Sequence, residues 1–326
     1  MSLRATFYSQ ESANRRRSVL LVLVVALLLG ALGFAIGYGT SGEVSAGLFV
    51  TAGAVVLAFV LSVGSYFAGD KLVLGASGAK EVDLASAPQL MNVVQEIAIA
   101  ANVPMPKVYV IDDTAPNAFA TGRDPKHASI AITTGLLQKL DREELQGVIG
   151  HELSHVRNLD IRFALLVAVL VGSVALLADF FLRFTFWGGG RRSRDDRGGG
   201  NGLQAIVFIL AIVLAILAPI AARLVQLAVS RQREYLADAS SVELTRNPHG
   251  LERALAKISS DREVLEVANR ATQHLYFTNP IKKFEERSSS MFSTHPPIVD
   301  RINRLRQLTG DQPIDPQEVA ALAGLD

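Results

Sequence analysis

Four long runs of apolar residues stand out in the pattern of hydrophobic and polar positions along the chain. They are Val19 to Tyr38, Leu48 to Ala68, Phe163 to Trp187 and Leu203 to Ala222. At a rise of about 1.5 Å per residue, each run forms a helix long enough to cross a hydrocarbon layer of about 30 Å. The pattern therefore predicts four membrane-spanning helices.

The chain between the second and third runs has the mixed pattern of a water-exposed α+β domain. Lys107 to Ile111 and Ala128 to Thr133 are β-branched or alternating segments, which is typical of strands. Asp141 and Glu144 have the spacing of a capping box, and the residues from Glu143 to Asn158 include no proline. Strands followed by a long helix are therefore expected here.

That helix carries the sequence His151-Glu152-Leu153-Ser154-His155, named here the HELSH motif. Positions four apart lie on one face of a helix, so the two imidazoles can bind the same metal ion. In zinc hydrolases with this spacing, the glutamate is the base that takes a proton from the attacking water molecule. His151 and His155 are therefore predicted metal ligands, and Glu152 is the predicted catalytic base.

Composition narrows the classes of function. Hydrophobic residues make up 49% of the chain and charged residues 19%, which is typical of a membrane protein. The formal net charge is only +1, so nucleic acid is not expected as a partner, because phosphate binding needs a concentrated basic surface. With no cysteine in the chain, a metal site must be built from His, Asp and Glu.

A catalytic zinc site uses three protein ligands, so a further acid is needed beside the two histidines. Glu234 follows the fourth apolar run on the same predicted helix and is the best candidate. Asp238, four residues later, can accept a hydrogen bond from a ligating imidazole. The other interpretation of Glu234 is a solvated surface charge paired with Arg231 or Arg233. The local sequence leaves both interpretations open.

Basic residues predict the orientation of the anchor. Arg15 to Arg17 precede the first run, whereas the connector from Thr40 to Ala46 contains no Lys or Arg. The N-terminus and the HELSH motif are therefore expected in the cytoplasm, and two runs return Glu234 to the same side. The connector at residues 188–202 argues the other way, because its arginines would lie outside.

Four segments resemble the HtpX family of membrane zinc metalloproteases, which are related to the CAAX prenyl proteases. The segments are the HELSH motif, Arg231-Gln232-Arg233-Glu234-Tyr235-Leu236-Ala237-Asp238, Asn117-Ala118-Phe119-Ala120-Thr121-Gly122 and Thr294-His295-Pro296-Pro297. The resemblance implies a zincin-like (gluzincin) domain that binds one Zn²⁺ per chain. It also implies that Glu234 is the third zinc ligand and Asp238 its supporting acid.

The same resemblance implies roles for residues outside these ligands. A protease of this kind binds its peptide substrate along a sheet edge through main-chain hydrogen bonds, and the predicted residues are Asn117, Ala118, Phe119 and Ala120. His295 and Arg301 are predicted catalytic residues that stabilise the oxyanion near the zinc. Without the resemblance, Asn117 to Gly122 is interpreted as a simple turn and His295 as a loop histidine.

We therefore expect an α+β protein in which a four-span α-helical anchor carries a cytoplasmic zincin-like domain. The predicted parts are a cytoplasmic arm (1–18), two spanning helices (19–69), a catalytic region (70–162), a spanning hairpin that includes the connector 188–202 (163–228), and the rest of the catalytic domain (229–326).

The expected function is that of a zinc metalloendopeptidase in the cytoplasmic (inner) membrane. The resemblance implies polypeptide substrates, above all misfolded or damaged membrane proteins during stress such as heat shock. Three alternatives remain: a prenyl-protein processing protease of the CAAX type, an intramembrane metalloprotease, and a non-enzymatic membrane scaffold with a structural metal. The HELSH motif is flanked by charged residues, so it is expected to lie outside the hydrocarbon layer of the membrane. This position disfavours the intramembrane alternative.

Overall fold

The computed structural model describes residues 7–187, 202–261 and 296–324. The helices are α1 (Phe7–Ser41), α2 (Val44–Ala76), α3 (Pro88–Ala101), α4 (Thr134–Lys139), α5 (Arg142–Arg157), α6 (Asp160–Trp187), α7 (Gly202–Thr245), α8 (Pro248–Ser260), α9 (Ile298–Thr309) and α10 (Val319–Leu322). The strands are β1 (Lys80–Glu81), β2 (Lys107–Ile111), β3 (Ala118–Gly122) and β4 (Ala128–Thr133). Short 3-10 turns lie at Pro125–His127 and Pro316–Glu318.

The chain divides into two compact units, and each is made of two separate stretches. The apolar unit comprises Met1–Ser65 and Leu165–Val229, and so contains α1, most of α2 and the apolar parts of α6 and α7. The second unit comprises Tyr66–Ala164 and Ser230–Asp326, and contains the sheet with its surrounding helices.

Among the described residues, three helical segments are long and apolar enough to cross a membrane: Leu23–Ser41, Val44–Leu61 and Gly202–Ala222. Large apolar side chains such as Phe49 and Phe59 lie exposed on them, which suits contact with lipid. The prediction of membrane-spanning helices is thus confirmed for three of the four runs, by length and composition. The run from Phe163 to Trp187 lies within α6, and its side chains at positions 163–170 and 184–187 fall outside the described part of the chain.

Small residues bring α1 and α2 into close contact. A Cβ atom added at Gly37 would lie 2.3 Å from the carbonyl oxygen of Ala46. The hydroxyl of Thr51 donates to the carbonyl oxygens of Gly47 at 2.9 Å and of Gly30 at 3.3 Å. Close backbone approach through small residues is the usual way in which helices pack in a membrane, where the hydrophobic effect does not drive association.

The second unit is built around a small mixed sheet in the order β1-β2-β4-β3. The pairs β1–β2 and β3–β4 are antiparallel, and β2–β4 is parallel. Ile130 on β4, Leu153 on α5 and Leu255 on α8 belong to one buried apolar cluster that joins the sheet to the helices. The strands predicted at β2 and β4 have these same bounds, whereas the segment after Asn117 is an edge strand rather than a simple turn.

The helix that carries the HELSH motif begins as the sequence predicts. The carboxylate of Asp141 accepts from the Glu144 backbone N–H at 2.9 Å, and the Glu144 carboxylate accepts from the Asp141 N–H at 2.9 Å. Glu144 is buried and also accepts a hydrogen bond from Lys257 of α8 at 2.8 Å. The capping box therefore starts α5 and also links it to α8.

We predict that Gly37→Val destabilises the apolar unit. The added Cβ would overlap the backbone of Ala46, and overpacking of this kind typically costs about 1–3 kcal/mol. Thermal unfolding of the full chain in detergent measures the effect. Gly53→Val is the matched control, because a Cβ at Gly53 meets no atom within 4 Å. Equal melting temperatures for the two variants would contradict the prediction.

Candidate metal centre

Two glycines let neighbouring helices approach the HELSH motif closely. A Cβ added at Gly147 would lie 2.8 Å from the Leu251 Cα of α8, and one at Gly150 would lie 2.8 Å from the Ser241 Oγ of α7. The Ser241 hydroxyl donates to the carbonyl oxygen of Gly147 at 2.6 Å. These contacts pack α5 against both α7 and α8 at the residues immediately before His151. The packing of these two helices therefore orients the side chains of the HELSH motif.

The structure brings His151, His155 and Glu234 together at one point. The two Nε2 atoms lie 3.1 Å apart. Glu234 Oε2 lies 3.7 Å from His151 Nε2, and its Oε1 lies 3.5 Å from His155 Nε2. Ligands bonded at about 2.0–2.1 Å to a tetrahedral ion are about 3.3 Å from one another, so this spacing fits a metal such as zinc.

Burial decides between the two interpretations of Glu234. Its side chain is buried, as is that of the neighbouring Arg233, so Glu234 is not a solvated surface charge. Among the described residues, His151, His155 and Glu234 are the group whose ligand atoms all lie within 4.8 Å of one another. Such a set of three leaves one tetrahedral position open, as a catalytic metal site requires.

Asp238 and Arg301 support the first histidine. Asp238 Oδ1 lies 2.9 Å from His151 Nδ1, and the guanidinium of Arg301 donates to both Asp238 oxygens, from Nε at 2.8 Å and Nη2 at 2.6 Å. Burial lowers the pKa of His151 to about 4 although the hydrogen bond to Asp238 opposes the shift. A neutral imidazole whose Nδ1–H donates to Asp238 keeps its Nε2 lone pair for a metal.

Arg301, on α9, therefore lies behind His151 and is fully buried. Its Nη1 is also 3.7 Å from Glu234 Oε2. The predicted partner of Arg301 in oxyanion stabilisation, His295, falls outside the described residues. In the described part of the chain, the closest partner of Arg301 is thus the supporting acid Asp238.

The second histidine has a different charge environment. Burial alone would lower the pKa of His155, but its hydrogen bonds with Asp160 and Glu234 outweigh burial and raise this pKa well above its usual value. Asp160 Oδ2 lies 3.0 Å from His155 Nδ1, and Asp160 Oδ1 accepts a close hydrogen bond from Arg233 Nη1. Sequence reasoning gave Asp160 no role at the site and considered Arg233 only as a surface partner of Glu234. The sequence signal for Asp160 is its position five residues after the motif.

Glu152 lies inside the site rather than on the surface of α5. Burial raises its pKa to about 7, and the nearby charge of Glu234 adds to the shift. The backbone N–H of Ala120 donates to its carboxylate and opposes the shift. A carboxyl group whose pKa lies near neutrality both accepts and returns a proton readily, which is the property of a general acid–base catalyst.

The contact with Ala120 also shows how the edge strand β3 faces the site. The Thr133 N–H donates to the carbonyl oxygen of Asn117 at 3.0 Å. Because hydrogen-bonded and non-bonded pairs alternate in an antiparallel ladder, Ala118 and Ala120 direct their backbone groups away from β4. Phe119 is a buried core side chain. This segment therefore offers backbone atoms, rather than side chains, to a ligand beside Glu152.

Comparison with known proteins agrees with this geometry. The sequence profile of peptidase family M48 matches residues 84–309. A protease HtpX homologue from Streptococcus uberis is 45% identical over 302 residues, which cover 92% of this chain and 99% of the relative. One from Caldanaerobacter subterraneus subsp. tengcongensis is 42% identical over 311 residues, which cover 94% and 99%. These findings confirm the resemblance inferred from the motifs.

A solved structure shares the fold. The crystal structure of S. mikatae Ste24p matches with a TM-score of 0.51 and 19% sequence identity, covering 91% of this chain and 67% of that protein. At this identity the likeness concerns the fold alone.

Loss of a residue that only supports a metal ligand typically weakens metal affinity by roughly 10- to 100-fold. We predict that Glu234→Ala weakens zinc binding by more than this, because a direct ligand is lost. Competition with a chelator measures the affinity. Glu243→Ala is the control, since Glu243 lies on the same helix but is exposed, with a distant ion pair to Arg157 at 3.9 Å. Unchanged affinity in Glu234→Ala would remove Glu234 from the ligand set.

Proposed function

Because the chain belongs to peptidase family M48, we propose that it is a membrane-integrated zinc endopeptidase that hydrolyses peptide bonds within polypeptides. One observation carries the proposal: the convergence of His151, His155 and Glu234 at a spacing that fits zinc, with Glu152 buried beside them. Zinc is favoured over other metals because the donor set of two imidazoles and one carboxylate, without thiolates, is a standard catalytic zinc set.

A zinc ion bound by these residues supplies Lewis acidity and makes a water molecule acidic near neutral pH. Glu152 takes the proton from the attacking water and passes it to the leaving amine, so no covalent intermediate with the protein is needed. The pKa of about 7 that burial gives Glu152 suits both transfers. The Ala120 N–H faces the Glu152 carboxylate and favours its charged form, in which it accepts the proton.

The substrate binds as an extended segment along the edge of β3 that faces away from β4. The carbonyl groups of Ala118 and Ala120 point to this edge, whereas the Ala118 N–H donates to Asn117 Oδ1 at 3.0 Å. Main-chain hydrogen bonds to these carbonyl groups can be made by any peptide sequence. Since Phe119 is turned into the core, it does not select a side chain of the substrate. The edge strand therefore favours broad specificity for unfolded segments, together with the predicted contribution of Asn117.

We place the protein in the cytoplasmic membrane with four spans, and with the catalytic domain in the cytoplasm. The three apolar helices support the anchor, and the arginines that precede the first span support the orientation. Together with broad specificity and the HtpX relatives, this location favours degradation of misfolded or damaged membrane proteins under stress, including heat shock.

A scaffold with a structural metal is less well supported. Structural zinc sites close with four protein ligands, whereas the cluster in the described residues has three. The prenyl-processing alternative has only the fold-level likeness to Ste24p on its side. The endopeptidase is therefore the better proposal.

Replacement of the base tests the reaction. Glu152→Gln should bind zinc as tightly as the wild type, because Glu152 is not a ligand, but should lose about 10²- to 10⁴-fold in the rate of cleavage of an unfolded membrane protein. Zinc content and cleavage are measured on the same detergent-purified sample. Wild-type cleavage by Glu152→Gln would overturn the assignment of the base.

The absence of native cysteine makes the topology directly testable. Single cysteines introduced as Lys80→Cys, Ser45→Cys and Gly198→Cys are labelled in intact cells with a thiol reagent that does not cross the membrane. We expect labelling at positions 45 and 198 but at position 80 only after lysis. Protection at position 198 in intact cells would show that the second hairpin does not span.

A further inference from the structure

The chain turns sharply just after the HELSH motif. Helix α5 ends at Arg157 and α6 begins at Asp160, while Leu159 between them has a φ of +58°, in the left-handed region that leucine rarely adopts. In a continuous helix, Asp160 would lie about 140° around the axis from His155, five positions earlier. The turn instead brings the aspartate back against the histidine.

Asp160 uses both of its carboxylate oxygens at this position. Oδ2 lies 3.0 Å from His155 Nδ1, and Oδ1 accepts the close hydrogen bond from Arg233 Nη1. Both Asp160 and Arg233 are buried. Since Arg233 directly precedes Glu234 on α7, Asp160 connects one proposed ligand, His155, to the helix that supplies another.

His151 has the same arrangement of an aspartate followed by an arginine. His151 Nδ1 lies 2.9 Å from Asp238, and Arg301 holds that aspartate. In both cases an aspartate occupies Nδ1, which leaves Nε2 as the atom that faces the other ligands. The two histidines thus have matching supports, although one support comes from a distant helix and the other from the adjacent turn.

We propose that Asp160 is the positioning residue of His155 and that Arg233 holds Asp160 in place, so that the turn between α5 and α6 sets the affinity of the centre for its metal ion. The proposal rests on the proposed function, because it requires zinc binding at this centre. Asp160 acts through the imidazole and does not itself bind metal or substrate.

The two residues are expected to act as one unit. A buried aspartate without its arginine, or the reverse, leaves an uncompensated charge. Asp160→Asn should weaken zinc binding about 10- to 100-fold, the usual effect of losing the partner of a ligating histidine. Arg233→Met should also weaken it, and the double variant should lose less than the product of the two single effects, because both act through one contact.

The experiment uses the full chain in detergent, stripped of metal. Zinc affinity is measured by competition with a chelator, the absorption spectrum of the Co²⁺-loaded protein reports ligand orientation, and thermal unfolding of the metal-free protein reports stability. Glu252→Gln is the matched control, since Glu252 is a buried acid that accepts from Arg306 Nη1 at 2.5 Å outside this cluster. It should lower the melting temperature and leave the zinc affinity and the Co²⁺ spectrum unchanged.

For Asp160→Asn, a weaker zinc affinity and an altered Co²⁺ spectrum support the proposal. Wild-type affinity with an unaltered spectrum overturns it, even if the melting temperature falls, and leaves the proposed function intact. If Asp160→Asn does not fold, the double variant, which lacks both buried charges, is measured instead, and wild-type affinity there is equally decisive. A wild type that binds no zinc overturns the proposed function and this proposal together.

Discussion

Ion pairs between buried aspartates and arginines orient the two histidines of the HELSH motif. Each aspartate binds one imidazole at Nδ1 and needs a guanidinium partner, since a buried carboxylate without compensation is strongly disfavoured. The pairs are Asp238 with Arg301 of α9 and Asp160 with Arg233 of α7. Because the arginines come from helices that follow the HELSH motif by many residues, the metal centre cannot assemble until those helices have docked on α5.

Helices α6 and α7 each contribute both to the site and to the apolar unit. Helix α6 starts at Asp160 beside His155 and continues into the apolar unit, while α7 leaves that unit and continues through Arg233 and Glu234. Helices α6 and α7 thus each contribute residues to both compact units. On the sheet side, the backbone N–H of Ala120 on β3 faces Glu152, so the proposed base, the proposed ligands and the proposed substrate edge depend on one packed core.

The features that sequence reasoning predicted are those encoded within a few neighbouring residues. The apolar runs identify membrane helices by length and composition, and the capping box of Asp141 and Glu144 marks the start of α5. The spacing of His151 and His155 follows from one turn of a helix. Strands β2 and β4 were predictable from their β-branched residues. The family was recognisable because its motifs are short runs of neighbouring residues, two of which lie within single helices, α5 and α7.

By itself, therefore, the sequence determined the long apolar helices, the helix of the HELSH motif and the pair of histidines four residues apart. Only the tertiary structure decided that Glu234 is buried beside that pair instead of exposed, and that the segment after Asn117 is an edge strand facing Glu152. It alone placed Asp160 against His155, through a left-handed residue that no periodicity encodes. The physical reason is that helical periodicity acts over a few residues, whereas burial and ion pairing depend on packing between residues far apart in the chain.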